Sequence, residues 1–400
     1  MEDWGGCAGH RREPSLSEVV LSRTKKNYPL TSVRFFAALF VLLHHSAPAF
    51  LDYFRGMSMY VVPKDFAGRI LFSFTFSVSF FYLLSGYVLA MVYLREARPV
   101  DAKKFFAARA ARIYPLYLVM LVVSLPEIFG PEIQRFGLAT GLFKVMKIFT
   151  GNALLLQAWV PERLLRMNSP IWSLSGEAFF YVCFPLLGVL LWKLRGERLW
   201  ATAIGLYVGG QALVWVARPH LSKQTVLYLP LLHLSTFALG ILLARWQKLQ
   251  QEQKGGEPVR LWQVNLVLGL SAVGVVLSVL LLPLFHVTLP YNNGLLAPVL
   301  AGFIWAISAR DTPLSRLLSK DWLVALGNAS YAIYLIHLPL LLLFMRWGWV
   351  ARGFYPVYLV LCIGLSLLSF YYFETPVRQW LLERFQSRSH ETMVVPSIAQ

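Results

Sequence analysis

The chain has 400 residues, 57% hydrophobic and only 14% charged. Soluble globular domains carry about a quarter charged residues, so most water-soluble classes are excluded. A net charge of +17 would point a soluble protein toward nucleic acid. Here nearly all of the cations fall in the gaps between long apolar runs, so no nucleic-acid partner is expected.

Residues 1–28 are polar and mixed in charge and read as a flexible cytosolic tail. Arg23, Lys25 and Lys26 then precede an apolar run and Ala47-Pro48-Ala49, the outline of a secretory signal. That run contains Arg34 and ends in His44-His45, and at 29–50 it is long enough to span, so it is read as a first transmembrane helix. Further spans are expected at 70–94, 111–130, 171–192, 199–217, 224–244, 261–285, 294–309, 322–345 and 353–373. Each approaches the roughly 20 apolar residues that a bilayer-crossing helix needs. The stretch 138–161 is apolar but carries Lys144 and Lys147, and reads as an interfacial or re-entrant helix in an outer loop. Residues 381–400 form a second cytosolic tail.

The fold class is therefore all-α and polytopic, with about ten transmembrane helices over 29–380 and the lipid bilayer as first partner. With the N-terminus inside, inner loops hold twice as many Lys and Arg as outer loops, most densely at 95–112. The positive-inside rule then places both termini in the cytosol. Cys7, Cys183 and Cys362 are too scattered for a disulfide framework or a zinc site, and no bound metal is expected.

A charge at the centre of a membrane helix costs about 2.5–3.5 kcal/mol on insertion scales, so each one needs a reason. Arg34 and His45 are eleven residues apart, about 20° from three full helical turns, and share one face with a rise of about 16 Å. His44 points roughly 100° away. Glu177 follows Ser169, a candidate N-cap, and Pro170, a suitable first helical residue. Counted from the outer surface, Glu177 and His45 fall at similar depths, about 10 and 8 Å. A carboxylate there would orient the imidazole as a general base; the alternative is an ion pair that locks two helices. His233 reads as a packing histidine, while His337 is balanced between packing and function.

Arg109 and Arg112 lie one helical turn apart at the cytosolic edge. Two guanidiniums there suit phosphate, though spacing alone favours lipid-headgroup anchoring. Ser85-Gly86 falls in the cytosolic third of the second span, where glycine permits close helix approach and Ser85 is a nucleophile without an identifiable base.

The segments RFFAALFVLLHH (34–45), SFFYLLSGYVLAMVY (79–93), RAARIYPLY (109–117), WSLSGEAFFYVCFPLL (172–187), LGNASYAIYLIHLPL (326–340) and YYFETPVRQ (371–379) occur in this order. Together they resemble the membrane-bound acyltransferase family 3, over roughly 29–380. The resemblance implies transfer of an acyl group, commonly acetyl from cytosolic acetyl-CoA, to hydroxyls of carbohydrates and related exported acceptors in a bacterial cytoplasmic (inner) membrane. Acyl-CoA would be a substrate, with no permanently bound cofactor. Arg34 and His45 match the family's first-helix pair, Arg109 and Arg112 its cytosolic arginine motif, and Glu177 the acid after the WSLS stretch.

The candidate catalytic residues are therefore His45, Arg34 and Glu177. The candidate substrate-binding residues are Arg109, Arg112, Ser85, Tyr114, Trp172 and His337. Some family members carry a fused extracytoplasmic domain. With about 25 residues after its last span, this chain is expected to complete transfer alone or to hand the acyl group to a separate extracytoplasmic partner. A competing expectation is a secondary transporter or flippase of a lipid-linked sugar, which calls for inverted repeats that the two halves do not display.

Overall fold

The computed structural model describes residues 28–55, 66–94, 100–253, 257, 259–281, 291–350 and 352–391, and all regular structure among them is helical. Residues 1–27 and 392–400 of the two expected tails, and the whole of loop 95–99, lie outside the described residues, while 381–391 continue the last helix.

Helix α1 (Tyr28–Arg55) carries Arg34 and His45 and takes Pro48 in its interior, which a membrane helix tolerates because neighbours satisfy the freed backbone groups. It is followed by α2 (Phe66–Ser73) and α3 (Phe76–Tyr93). Helix α4 (Ala102–Val123) starts nine residues before the span expected at 111. The alanine-rich KKFFAARAAR stretch is strongly helix-forming, and the Asp101 side chain caps it by accepting from the Lys104 N–H at 3.1 Å. Arg109 and Arg112 thus sit two turns inside a helix rather than at its mouth.

Helices α5 (Pro126–Phe136) and α6 (Leu138–Ala153) fold back on each other. The latter falls in the stretch read as interfacial, and exposes Leu138, Leu142, Phe143 and Met146. After the short α7 (Pro161–Leu164), a 3₁₀ turn at Ser169–Ile171 leads into α8 (Trp172–Trp192). Pro170 and Ile171 of that turn are buried while Ser169 is exposed, and polar contacts help to hold it. Asn168 Nδ2 donates to the Leu335 carbonyl at 3.0 Å, and Gln157 Nε2 donates to that of Ile171 at 3.0 Å. The Tyr334 hydroxyl donates to the Pro170 carbonyl. Ser169 is therefore not the N-cap of a helix beginning at the membrane surface; α8 begins inside the protein.

Helix α9 (Gly196–Ala217) precedes α10 (Lys223–Tyr228), a 3₁₀ turn at Pro230–His233 and α11 (Leu234–Gln253). Next come α12 (Leu261–Leu281) and α13 (Ala297–Ala309), and then α14 (Pro313–Leu318), α15 (Asp321–Asn328) and α16 (Ser330–Arg346). The chain continues through α17 (Tyr355–Ser369), one π-helical turn at Phe370–Glu374 and α18 (Thr375–Glu391).

Among the described residues, seven helices are long and apolar enough to cross a bilayer, or eight if α15 and α16, bent by 57°, count as one span. The expected spans at 224–244 and 294–309 fall short of that measure. The first is broken at Leu229–His233 and ends in the polar KLQQEQ run, and the second is a 13-residue helix. Residues such as Ile204 and Val208 on α9, Leu266 and Leu270 on α12, and Val360 and Leu368 on α17 form exposed apolar faces. Such faces suit lipid tails rather than water, and the protein is a multi-pass membrane protein.

The bundle closes where α3 meets α11. A Cβ on Gly86 would stand 2.1 Å from the Phe237 carbonyl oxygen, and one on Gly240 would stand 2.1 Å from that of Leu83. Without a hydrophobic drive between helices in lipid, such small-residue contacts supply the packing. Gly240→Val should cost at least about 3 kcal/mol through overpacking, read as a fall in unfolding temperature in detergent. Gly269→Val, with open space around its α-carbon, should leave that temperature unchanged.

Two acids of α5 anchor the chain that enters α8. Buried Glu132 pairs with Arg166 at 2.8 Å, and Glu127 accepts the Asn168 N–H at 2.8 Å. Burial pushes the Glu127 carboxyl above the usual carboxylate range. A raised folded-state value means that ionisation costs stability above it, a cost relieved as pH falls through it. Glu127→Gln keeps an oxygen acceptor and should flatten the rise in unfolding temperature expected of the wild type between pH 8 and about 5.

Candidate functional site

Helix α1 presents two polar centres, three turns apart on one face. The first surrounds Arg34, whose guanidinium lies within electrostatic reach of Arg112, Glu177, Tyr181 and Glu374. Arg378 joins from α18, facing Arg112, Arg109 and Tyr93. Arg109 is half-buried in an aromatic cage, its guanidinium carbon 5.8–6.0 Å from the ring centroids of Tyr93, Phe105 and Tyr181. Glu374, in the π-helical turn, faces Arg112 and Arg34 and accepts from Ser369 Oγ at 3.4 Å.

Four guanidiniums thus confront two carboxylates. Among the described residues neither Glu177 nor Glu374 closes an ion pair within 4.0 Å. The Nε atoms of Arg109 and Arg378 are buried with no hydrogen-bond partner. A half-buried surplus of positive charge with donors to spare is an anion-binding arrangement, since an unpaired charge in low dielectric is costly until a counter-ion arrives.

Glu177 does not stand beside His45. It accepts from Ser85 Oγ at 3.3 Å and from the Tyr181 hydroxyl, and it lies level with Arg34. The depth count assumed that α8 starts at the membrane surface; its buried 3₁₀ entry puts Glu177 deeper. Ser85 accordingly has a carboxylate for a neighbour, in the arginine centre.

The second centre is made of histidines. His45 Nδ1 lies 2.9 Å from the Val41 carbonyl and 3.3 Å from His337 Nε2. His337 Nδ1 lies 3.1 Å from the Ile333 carbonyl, and His44 Nδ1 lies 2.8 Å from that of Leu71. His45 keeps partial exposure, whereas His337 is fully buried. His337, expected among the substrate-binding residues, is shut away from direct contact because α16 packs it behind His45. Trp172 is likewise buried, its ring 4.8 Å from Tyr228 and 5.3 Å from His233. Tyr114 packs edge-to-face on Tyr117, their ring centroids 6.3 Å apart. His233 sits between Tyr82 and Trp172 with Nε2 3.0 Å from the Leu227 carbonyl, as its reading as a packing residue anticipates.

Residues 27–373 match a protein family described as an acyltransferase domain. The chain belongs to this acyltransferase family. It is 33% identical to the acyltransferase MdmB of Streptomyces mycarofaciens over 54% of this chain and 56% of that protein. It is 25% identical to the O-acetyltransferase OatA of Staphylococcus aureus, over 76% of this chain and 52% of the relative. The peptidoglycan O-acetyltransferase OatA of Listeria monocytogenes is 27% identical, over 76% of this chain and 51% of its own length. The chain spans about half the length of these relatives. No solved structure matches it.

Within the acyltransferase family chain, sequence reasoning missed Glu374 and Arg378, four residues apart and so on one helix face. The last span was expected to end at 373, which left both just beyond it, between the span and the tail expected from 381. The structure instead carries helix from Tyr355 through Phe385, and the polar pair in YYFETPVRQ was the available signal. Because cations outnumber acids here, the two charges should respond oppositely to removal. Glu374→Gln should lower stability by about 1–3 kcal/mol, whereas Arg378→Gln should leave it unchanged or raise it. Thermal unfolding in detergent without added anion reads both signs.

Proposed function

We propose that the protein is an integral-membrane O-acyltransferase that moves an acyl group, foremost acetyl, from cytosolic acyl-CoA to a hydroxyl of a carbohydrate or glycan acceptor. The observation that carries this reading is the pairing on α1 of an anion-binding arginine centre with a partly exposed imidazole about 16 Å further along the same face. Membership of the acyltransferase family supports the reaction class, and the peptidoglycan O-acetyltransferase among the relatives supports a glycan acceptor. The excess of Lys and Arg in loops on the side of the N-terminus supports cytosolic termini, in a bacterial inner membrane.

In this reading the phosphates of acyl-CoA dock at Arg109 and Arg112, with Arg34 and Arg378 adding positive field. The pantetheine arm runs along α1 and delivers the thioester to His45. The imidazole takes the proton of the acceptor hydroxyl as its oxygen attacks the thioester carbonyl carbon. The C–S bond breaks, and the CoA thiolate recovers the proton from His45. Glu177 and Glu374 stay in the arginine centre, where they keep the four guanidiniums apart and oriented.

The test is transfer of labelled acetyl from acetyl-CoA to candidate glycans by the purified protein. His45→Ala should lower the rate by about 10²–10⁴-fold; a near wild-type rate would remove His45 from the mechanism. The pair Arg109→Ala with Arg112→Ala should raise the KM for acetyl-CoA at least tenfold, and unchanged donor affinity would remove them from the docking site.

A further inference from the structure

We propose that His337 is the positioning residue that fixes the tautomer of His45 and receives its hydrogen bond as it takes up the acceptor's proton. The inference rests on His45 being the base, and assigns to His337 the role that Glu177 was expected to fill.

The argument is one of proton placement. A carbonyl oxygen only accepts, so His337 Nδ1, 3.1 Å from the Ile333 carbonyl, must carry a hydrogen. In a neutral ring the other nitrogen, Nε2, is then bare and can only accept. Nε2 faces His45 Nδ1 at 3.3 Å, so that atom must donate. The same Nδ1 lies 2.9 Å from the Val41 carbonyl, which also demands a donor. A single assignment, hydrogen on Nδ1 of both rings, satisfies all three contacts, with the His45 hydrogen shared between Val41 and His337. It leaves His45 Nε2 with a free lone pair, and His45 is the partly exposed member of the pair. The opposite tautomer of His45 would set a bare nitrogen against both a carbonyl and a bare nitrogen.

His337 is suited to position rather than to react. Its side chain is fully buried, its Nδ1 is tied one turn back along α16, and its own carbonyl accepts the Tyr358 hydroxyl at 2.9 Å. The ring groups facing His45 are His44 at 4.8 Å and His337 at 5.2 Å between centroids, and His44 is turned to the Leu71 carbonyl. When His45 Nε2 accepts the hydroxyl proton, the Nδ1–H bond to His337 becomes charge-assisted and shortens. No proton leaves the pair until the CoA thiolate takes it from Nε2.

The experiment uses the full chain, labelled with ¹⁵N-histidine, in detergent. Two-bond ¹⁵N–¹H correlation at the pH of the assay identifies the protonated nitrogen of His45, assigned by its loss in His45→Gln. Hydrogen on Nδ1 is expected, and hydrogen on Nε2 overturns the proposal. Kinetics with acetyl-CoA supply the second readout. His337→Phe should lower kcat roughly 10- to 100-fold, as when the partner of a working imidazole is removed, with the KM for acetyl-CoA within twofold. His337→Gln, whose amide oxygen can take the place of Nε2 as acceptor, should recover at least a third of the wild-type kcat. A His337→Phe protein with wild-type kcat overturns the proposal, as do equal losses in both variants. If His337→Phe does not fold, the wild-type tautomer and the His337→Gln rate decide. Activity retained in His45→Ala would instead overturn the underlying assignment of the base, and is distinguishable from each of these.

Discussion

Charge held inside a lipid-facing bundle is the constraint on which the rest of the architecture depends. Arg34 interrupts an otherwise apolar helix, and a guanidinium at that depth is affordable only if neighbouring groups replace water. The fold answers by converging α3, α4, α8 and the α17–α18 helix on one level of α1. Carboxylates from Glu177 and Glu374 face the guanidiniums at a distance, and tyrosines surround Arg109. Compensation is incomplete, with four cations against two acids, and the proposed donor docking relies on that incompleteness. A fully paired network would be a structural lock, whereas a net positive one is stabilised further by an arriving phosphate.

The position of Glu177 depends on how the chain enters α8. Segment 161–171 sends Met167, Asn168, Pro170 and Ile171 into the protein, Met167 and Ile171 joining the apolar core while polar contacts hold Asn168 and Pro170. Asn168 has φ +38°, a left-handed conformation open to asparagine, and its amide reaches the Leu335 carbonyl while Glu127 takes its N–H. Tyr334, one turn before His337, bonds both Ser173 and Pro170. The polar ties that set the depth of Glu177 therefore also fix the part of α16 that presents His337 to His45. A shift of this entry segment would disturb both centres at once.

Periodicity and composition carried much of the helical architecture, because apolar runs bounded by charge need no knowledge of neighbours. The common face of Arg34 and His45 was legible for the same reason: helical geometry alone sets it. The close approach at Gly86 was also readable, though its partner Gly240 was not, since no pattern links two glycines 154 positions apart. What failed was depth. Placing Glu177 required the starting level of α8, which long-range hydrogen bonds decide, and excluding Glu374 and Arg378 required an end for the last helix that the chain does not observe. His337 could be singled out as a buried ionisable residue, but the atom to which its nitrogen points is a fact of packing between α1 and α16.

Two centres on one helix differ physically from two centres on separate loops. The rise from Arg34 to His45 is maintained by the backbone hydrogen bonds of α1, so loop motion cannot change it. In the proposed mechanism, a donor anchored by its phosphates at the arginine level would present its reactive end at a height set by its own length. Acyl donors whose thioester lies closer to the anchoring anion would stop short of the imidazole, and the helix would then discriminate among donors by reach, before any pocket contacts the acyl chain. The ring of His45 has little freedom to compensate, because Nδ1 is held from two directions, by Val41 on its own helix and by His337 on α16. In the proposed mechanism, rigidity at the base and surplus charge at the anchor are thus complementary: the anchor would attract the anion, and the fixed helix between them would convert that binding into alignment.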